Sequence, residues 1–125
     1  VIMDKRRYSD DERAYVLKII GNVKDRNCFI IDDEVSTGGS MIEACKALKK
    51  EGAKNIYAGC THGVLCEDAC ERIQKSPMSE FVTTNTIQQN KCRNYSKITV
   101  LSVAELFGDA IVAIHMGTSV SKLFP

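Results

Sequence analysis

Asp32 and Asp33 stand side by side, and after three residues Thr37-Gly38-Gly39-Ser40 follows. Adjacent carboxylates, two glycines and three hydroxyl side chains within nine positions can do recognisable chemistry. Glycines let a backbone approach a phosphate with no Cβ in the way, and the hydroxyls of Thr37 and Ser40 add donors. Carboxylates repel a bare phosphate, so Asp32 and Asp33 suit sugar hydroxyls or a metal ion beside a phosphate held further along at Ser36 to Ser40. A phosphorylated sugar fits that layout better than free phosphate. The same residues also suit an ordinary strand-to-helix turn with solvated acids, and chemistry alone leaves the two readings level. The run is not a Walker loop, since no Lys follows the glycines, and G-x-G-x-x-G is absent.

The elements around this run must position it. Cys28 to Ile31 is apolar and short, as a strand buried on both faces of a parallel sheet would be, and it is expected to end at the two acids. Met41 to Lys50 carries one apolar helical stripe, Met41, Ala44, Cys45 and Leu48, with Gly52 as its closing residue. A strand-turn-helix unit of this kind presents the open N–H groups of a helix N-terminus to an anion. Further strands are expected over 55–60, 80–84 and 97–101, and helices over 67–75 and from Ser102 to about His115. Ser102 and Glu105 form a capping box for the last helix, and Gly117 closes it. This alternation predicts an α/β fold, a mostly parallel sheet flanked by helices, in one domain over 1–125.

Toward the N-terminus, Val1-Ile2-Met3 reads as the tail of a strand that began earlier. Lys5, Arg6 and Arg7 read as a solvated basic run, residues 8–13 as a mobile loop, and 14–20 as a strand. Residues 88–96 read as a polar surface loop, and 118–125 as a tail that docks back. His62, at the C-terminal end of the second buried strand, lies on the side where open α/β sheets take ligands, although a lone His there is more often structural.

Composition narrows the class. The chain has 125 residues, 44% hydrophobic and 26% charged, with a formal net charge of +1. That balance gives no case for nucleic acid or an anionic membrane as partner. No apolar run approaches the roughly 20 residues of a spanning helix. Of six cysteines, Cys28, Cys45 and Cys60 lie in apolar segments, and no C-x-x-C occurs. All six are expected as reduced thiols in a cytoplasmic protein, with Cys92 exposed and no bound metal.

Beyond the central run, Asp4-Lys5-Arg6-Arg7, Cys60-Thr61-His62-Gly63-Val64-Leu65, Val82-Thr83-Thr84-Asn85-Thr86-Ile87 and the stretch from Ile114-His115 to Ser119-Val120-Ser121-Lys122-Leu123-Phe124 occur in a fixed order. Together they resemble ribose-phosphate pyrophosphokinase (phosphoribosyl pyrophosphate synthetase), and the central run resembles the phosphoribosyl pyrophosphate loop of the type I phosphoribosyltransferase fold. The resemblance implies an enzyme that joins ATP and ribose 5-phosphate with magnesium, in homo-oligomers, with this chain matching the C-terminal half. It assigns the 5-phosphate to Ser36, Thr37, Gly38, Gly39 and Ser40, the ribose hydroxyls to Asp32 and Asp33, and the reacting phosphates to Lys5 and Arg7 on a flexible loop. Most magnesium ligands would lie in the other half, so the chain alone is expected to be inactive. A phosphoribosyltransferase and a non-catalytic regulatory relative are the other readings. Two features depart from the family pattern: Ser36 stands where many members have Asp, and the interval from Arg7 to Asp32 is slightly long.

Overall fold

The computed structural model describes residues 2–7, 15–92 and 94–124, with residues 2–7 and 15–18 described through their backbone. Strands β1 (Ile2–Arg7) and β2 (Tyr15–Ile20) form an antiparallel pair with Lys5 opposite Leu17 and Arg7 opposite Tyr15. The loop expected over 8–13 lies outside the described residues. β3 (Cys28–Val35), β4 (Ile56–Gly63), β5 (Glu80–Thr84) and β6 (Ile98–Leu101) form a parallel sheet in that order. Helices α1 (Gly39–Lys50), α2 (Ala69–Lys75) and α3 (Ala104–His115) alternate with these strands. The expected α/β architecture is therefore present.

Strand order follows chain order in one direction, and right-handed crossovers then put successive helices on the same face. That face is the core. Ile56, Ala58 and Cys60 of β4 and Phe81 and Thr83 of β5 are buried there with Met41, Cys45 and Leu48 of α1 and Ala69, Cys70 and Ile73 of α2. The alternate positions of β3 are open, with Phe29 58% and Ile31 78% exposed. Helix α3 buries no residue, and Phe107, Ile111 and Ile114 are all exposed although the helix is strongly apolar. Parallel sheets are normally covered on both faces. Among the described residues, one face is covered.

Several expectations need correction. β3 does not stop at Ile31 but runs through Asp32, Asp33 and Glu34 to Val35, because β4 extends equally far and keeps pairing, Asp32 with Cys60 and Glu34 with His62. β4 likewise takes in Thr61, His62 and Gly63. The capping box does not form at α3. Ser102 Oγ accepts the Ala104 N–H at 3.3 Å, but the Val103 N–H goes to Asn85 Oδ1 at 2.9 Å, across from the end of β5. Residues 88–96 are not a simple surface loop either, since Gln89 and Cys92 are buried and Asn90–Cys92 forms a 3-10 turn. Cys92 is joined to Cys70 of α2 in a disulfide, so the expectation of six free thiols with Cys92 exposed is overturned. The two side chains are 22 positions apart and meet only because the segment after β5 packs over α2. Gly52 closes α1 at φ 85° and Gly117 closes α3 at φ 65°, as expected. The tail folds into a 3-10 turn, Val120–Leu123, against α3.

The position of the core predicts a sharp asymmetry in mutational cost. Phe81→Ala, at a site with no exposure, should cost about 3–5 kcal/mol in urea unfolding. Ile31→Ala, on the open face, should cost less than about 0.5 kcal/mol.

Candidate functional site

Residues 36–40 connect the end of β3 to the start of α1. Gly38 takes the left-handed conformation at φ 73°, ψ 0°, which a residue with a Cβ adopts only at a cost. Its carbonyl accepts the Ile42 N–H at 2.9 Å, and no side chain caps the helix. The turn and helix start enclose a cavity of about 160 Å³ lined by Asp32, Glu34 and the continuous run 35–41. The helix N-terminus gives this cavity positive potential, and the two carboxylates define its opposite wall.

The expected site is thus brought together in large part. Asp32, Ser36, Thr37, Gly38, Gly39 and Ser40 share one cavity. Asp33 does not line it, because alternate residues of a strand point to opposite faces and Asp33 shares its side with Phe29 and Ile31. Glu34 takes the expected second carboxylate position, which the i, i+2 spacing from Asp32 could have disclosed. Lys5 and Arg7 are placed by the backbone of β1 alone.

Hydrogen bonding with the Asp32 carboxyl, followed by the Glu34 N–H donated to Asp33 Oδ1 at 2.9 Å, holds the Asp33 carboxyl below its ordinary value of 3.8. A carboxylate whose pKa is lower folded than unfolded adds stability that is present above the ordinary value and is lost as pH falls through the folded one. Beside the cavity, His62 is exposed and its Nδ1 lies 3.0 Å from Thr86 Oγ1. The Thr84 and Thr86 hydroxyls both donate to the Thr61 carbonyl, at 2.7 and 3.1 Å, so the exit of β5 fixes this histidine from behind. Gly63 is required for close packing, because a Cβ there would sit 2.6 Å from Thr83 Oγ1.

The segment from β4 to α2 fastens the turn. Cys66 N–H donates to the Ser36 carbonyl at 3.2 Å, and Cys66 Sγ lies 3.0 Å from Ser36 Oγ. Burial pushes the Cys45 thiol up to about 12, and burial also raises that of Cys60, which lies 3.5 Å from Thr83 Oγ1. Among the described residues, no three His, Cys, Asp or Glu side chains converge on a point where a metal ion could be held.

A glycine turn at a helix start, with carboxylates beside it at the carboxyl edge of a parallel sheet, lies where open α/β sheets take ligands. A sequence model of the family described as phosphoribosyl synthetase-associated domain matches residues 9–125, and the chain belongs to that family. Similar proteins include the ribose-phosphate pyrophosphokinases of Clostridium tetani, 46% identical over 123 residues, and of Caldanaerobacter subterraneus, 47% identical over the same length. These matches cover 98% of this chain but only 38% and 39% of the two relatives. A phosphoribosylpyrophosphate synthetase structure from Mycobacterium smegmatis superimposes with a TM-score of 0.77 at 32% identity, covering 86% of this chain and 35% of that one. No helix among the described residues is long and apolar enough to cross a membrane.

Two measurements follow from this geometry. Alkylation of the native protein at neutral pH should label Cys28 and Cys66, which are partly exposed, and spare Cys45 and Cys60; peptide mass mapping reads the pattern. Asp33→Asn should lessen the loss of stability on acidification that sets in as pH falls below about 4, read by thermal unfolding across pH.

Proposed function

We propose that the chain is the ribose 5-phosphate-binding, C-terminal portion of a ribose-phosphate pyrophosphokinase, a domain of type I phosphoribosyltransferase fold. The observation that carries this reading is the cavity in which the uncapped glycine turn faces Asp32 and Glu34. In it the 5-phosphate sits against Ser36 to Ser40, where backbone donors and the helix start neutralise its charge. Asp32 accepts hydrogen bonds from the ribose hydroxyls, whereas Asp33, to which the resemblance gives the same role, lies on the other face of β3. The whole enzyme would then transfer pyrophosphate from ATP: the sugar 1-hydroxyl oxygen attacks the β-phosphorus, its bond to AMP breaks, and the hydroxyl proton leaves to solvent. Lys5 and Arg7 meet the charge that spreads over the reacting phosphates.

Asp32 and Glu34 suit magnesium as an ion that arrives with substrate oxygens, since such ions commonly use one or two carboxylates. When bound, magnesium neutralises phosphate charge. The similarity to synthetases that are more than twice as long supports a complete site built from this part and a further one. The apolar surface open at Phe29, Ile31, Phe107 and Ile111 supports the same reading, together with assembly into homo-oligomers.

Ribose 5-phosphate should raise the thermal stability of this chain, by about 1.4 kcal/mol at ten times its dissociation constant. Gly39→Val should abolish that stabilisation. A Cβ at Gly39 meets only Arg72 Nη2 at 3.5 Å and Thr37 Oγ1 at 3.7 Å, so its first effect is on the ligand's space and not on the fold. Lys5→Ala should leave the stabilisation nearly intact. With ATP and magnesium added, the chain by itself should form no appreciable AMP, because catalysis needs both substrates held in line. Equal loss in both variants, or sustained sugar-dependent AMP formation, would contradict these roles.

A further inference from the structure

Arg72 of α2 reaches the turn from outside the cavity. Its Nη1 donates to the Thr37 carbonyl at 3.2 Å, and its Nη2 lies 3.5 Å from where a Cβ of Gly39 would be. Asp68, one helical turn earlier, stands 3.9 Å from the same Nη1 and steadies the guanidinium. The neighbouring Ile73 is fully buried, and its side chain lies 3.7 Å from where a Cβ of Gly38 would be. With the Cys66 contacts to Ser36, the segment 66–73 holds three consecutive residues of the turn, and neither Arg72 nor Cys66 lines the cavity.

The Thr37–Gly38 peptide is the part of this turn with a real alternative. Its second residue is a glycine at positive φ, so rotating the whole peptide group costs little in backbone terms. In a trans peptide the C=O and N–H point in opposite directions, and no cis bond occurs among the described residues. A donor that captures the Thr37 carbonyl on the α2 side therefore turns the Gly38 N–H the other way, toward the cavity. Donation to the carbonyl also polarises the peptide group and makes that N–H a stronger donor.

We propose that Arg72 is a positioning residue of the phosphate turn, selecting the orientation of the Thr37–Gly38 peptide in which the Gly38 N–H faces the anion. The inference rests on the reading of 36–40 as a phosphate site and adds to it a residue that does not touch the ligand. With Arg72 absent, the peptide is free to rotate, its carbonyl oxygen can face the cavity, and a phosphate meets an acceptor in place of a donor.

The test compares the wild-type chain with Arg72→Met, Arg72→Ala and Arg72→Lys. Arg72→Met keeps much of the apolar stem and removes every donor, so whichever of it and Arg72→Ala folds serves. Ribose 5-phosphate affinity is read by calorimetry, the unliganded melting temperature by thermal unfolding, and the Gly38 amide by ¹⁵N–¹H resonance. The truncated variants should bind about tenfold more weakly, equivalent to about 1.4 kcal/mol. Their Gly38 amide should be displaced before any ligand is added, while melting stays close to wild type. Arg72→Lys, which keeps a cationic donor group, should restore most of the affinity. Wild-type affinity in the truncated variants with an unmoved Gly38 amide would overturn the role of Arg72 and leave the phosphate site standing. A loss that tracks melting temperature and is not recovered by Arg72→Lys would also overturn it. Failure of the wild-type chain to bind would remove the phosphate-site reading itself, and this inference with it.

Discussion

The parallel pairing of β3 with β4 is the constraint from which the rest of the site follows. It runs from Cys28 opposite Ile56 at one end to Val35 opposite Gly63 at the other. Because the strands run together to the same edge, the turn after β3 and the segment after β4 emerge side by side. That proximity lets Cys66 reach Ser36 and Arg72 reach Thr37. The same pairing carries Asp32 and Glu34 out of the core and into the wall of the cavity. If β4 ended earlier, those acids would hang in a loop and the turn would lose its neighbours.

A second consequence concerns what the sheet leaves uncovered. Crossovers in a single direction place α1 and α2 on one face, and the hydrophobic core is confined to that side. The other side shows Phe29 and Ile31, and α3 shows Phe107, Ile111 and Ile114. Such exposed apolar surface fits a chain that spans little more than a third of the length of the relatives it matches. The turn is held from the covered side, by Cys66 at Ser36, Arg72 at Thr37 and Ile73 packed beside Gly38. A well-held turn at this edge and openness elsewhere are compatible for this reason.

Much of this was legible in the sequence where the physics is local. The glycine turn, the helix stripe from Met41 to Leu48 and the closing glycines at 52 and 117 depend on near neighbours, and each lies where its pattern implied. Features set by distant partners were not legible. The length of β3 is decided by β4, so a strand expected to stop at two acids continues through them. The Val103 N–H at the start of α3 goes to Asn85, and the pairing of Cys70 with Cys92 depends on how the 88–96 segment packs. Glu34 was discoverable from strand alternation with Asp32, whereas Arg72 carries no pattern that ties it to a turn more than thirty residues earlier.

The central claim is that the turn holds the phosphate of a phosphosugar while the strand-end carboxylates read its hydroxyls. A crystal structure of this chain with ribose 5-phosphate tests it most directly. The account predicts the phosphate against the backbone of Thr37 to Ser40, with the ribose hydroxyls directed toward Asp32. A phosphate seated elsewhere, or a sugar turned away from Asp32 with its hydroxyls in solvent, would contradict it.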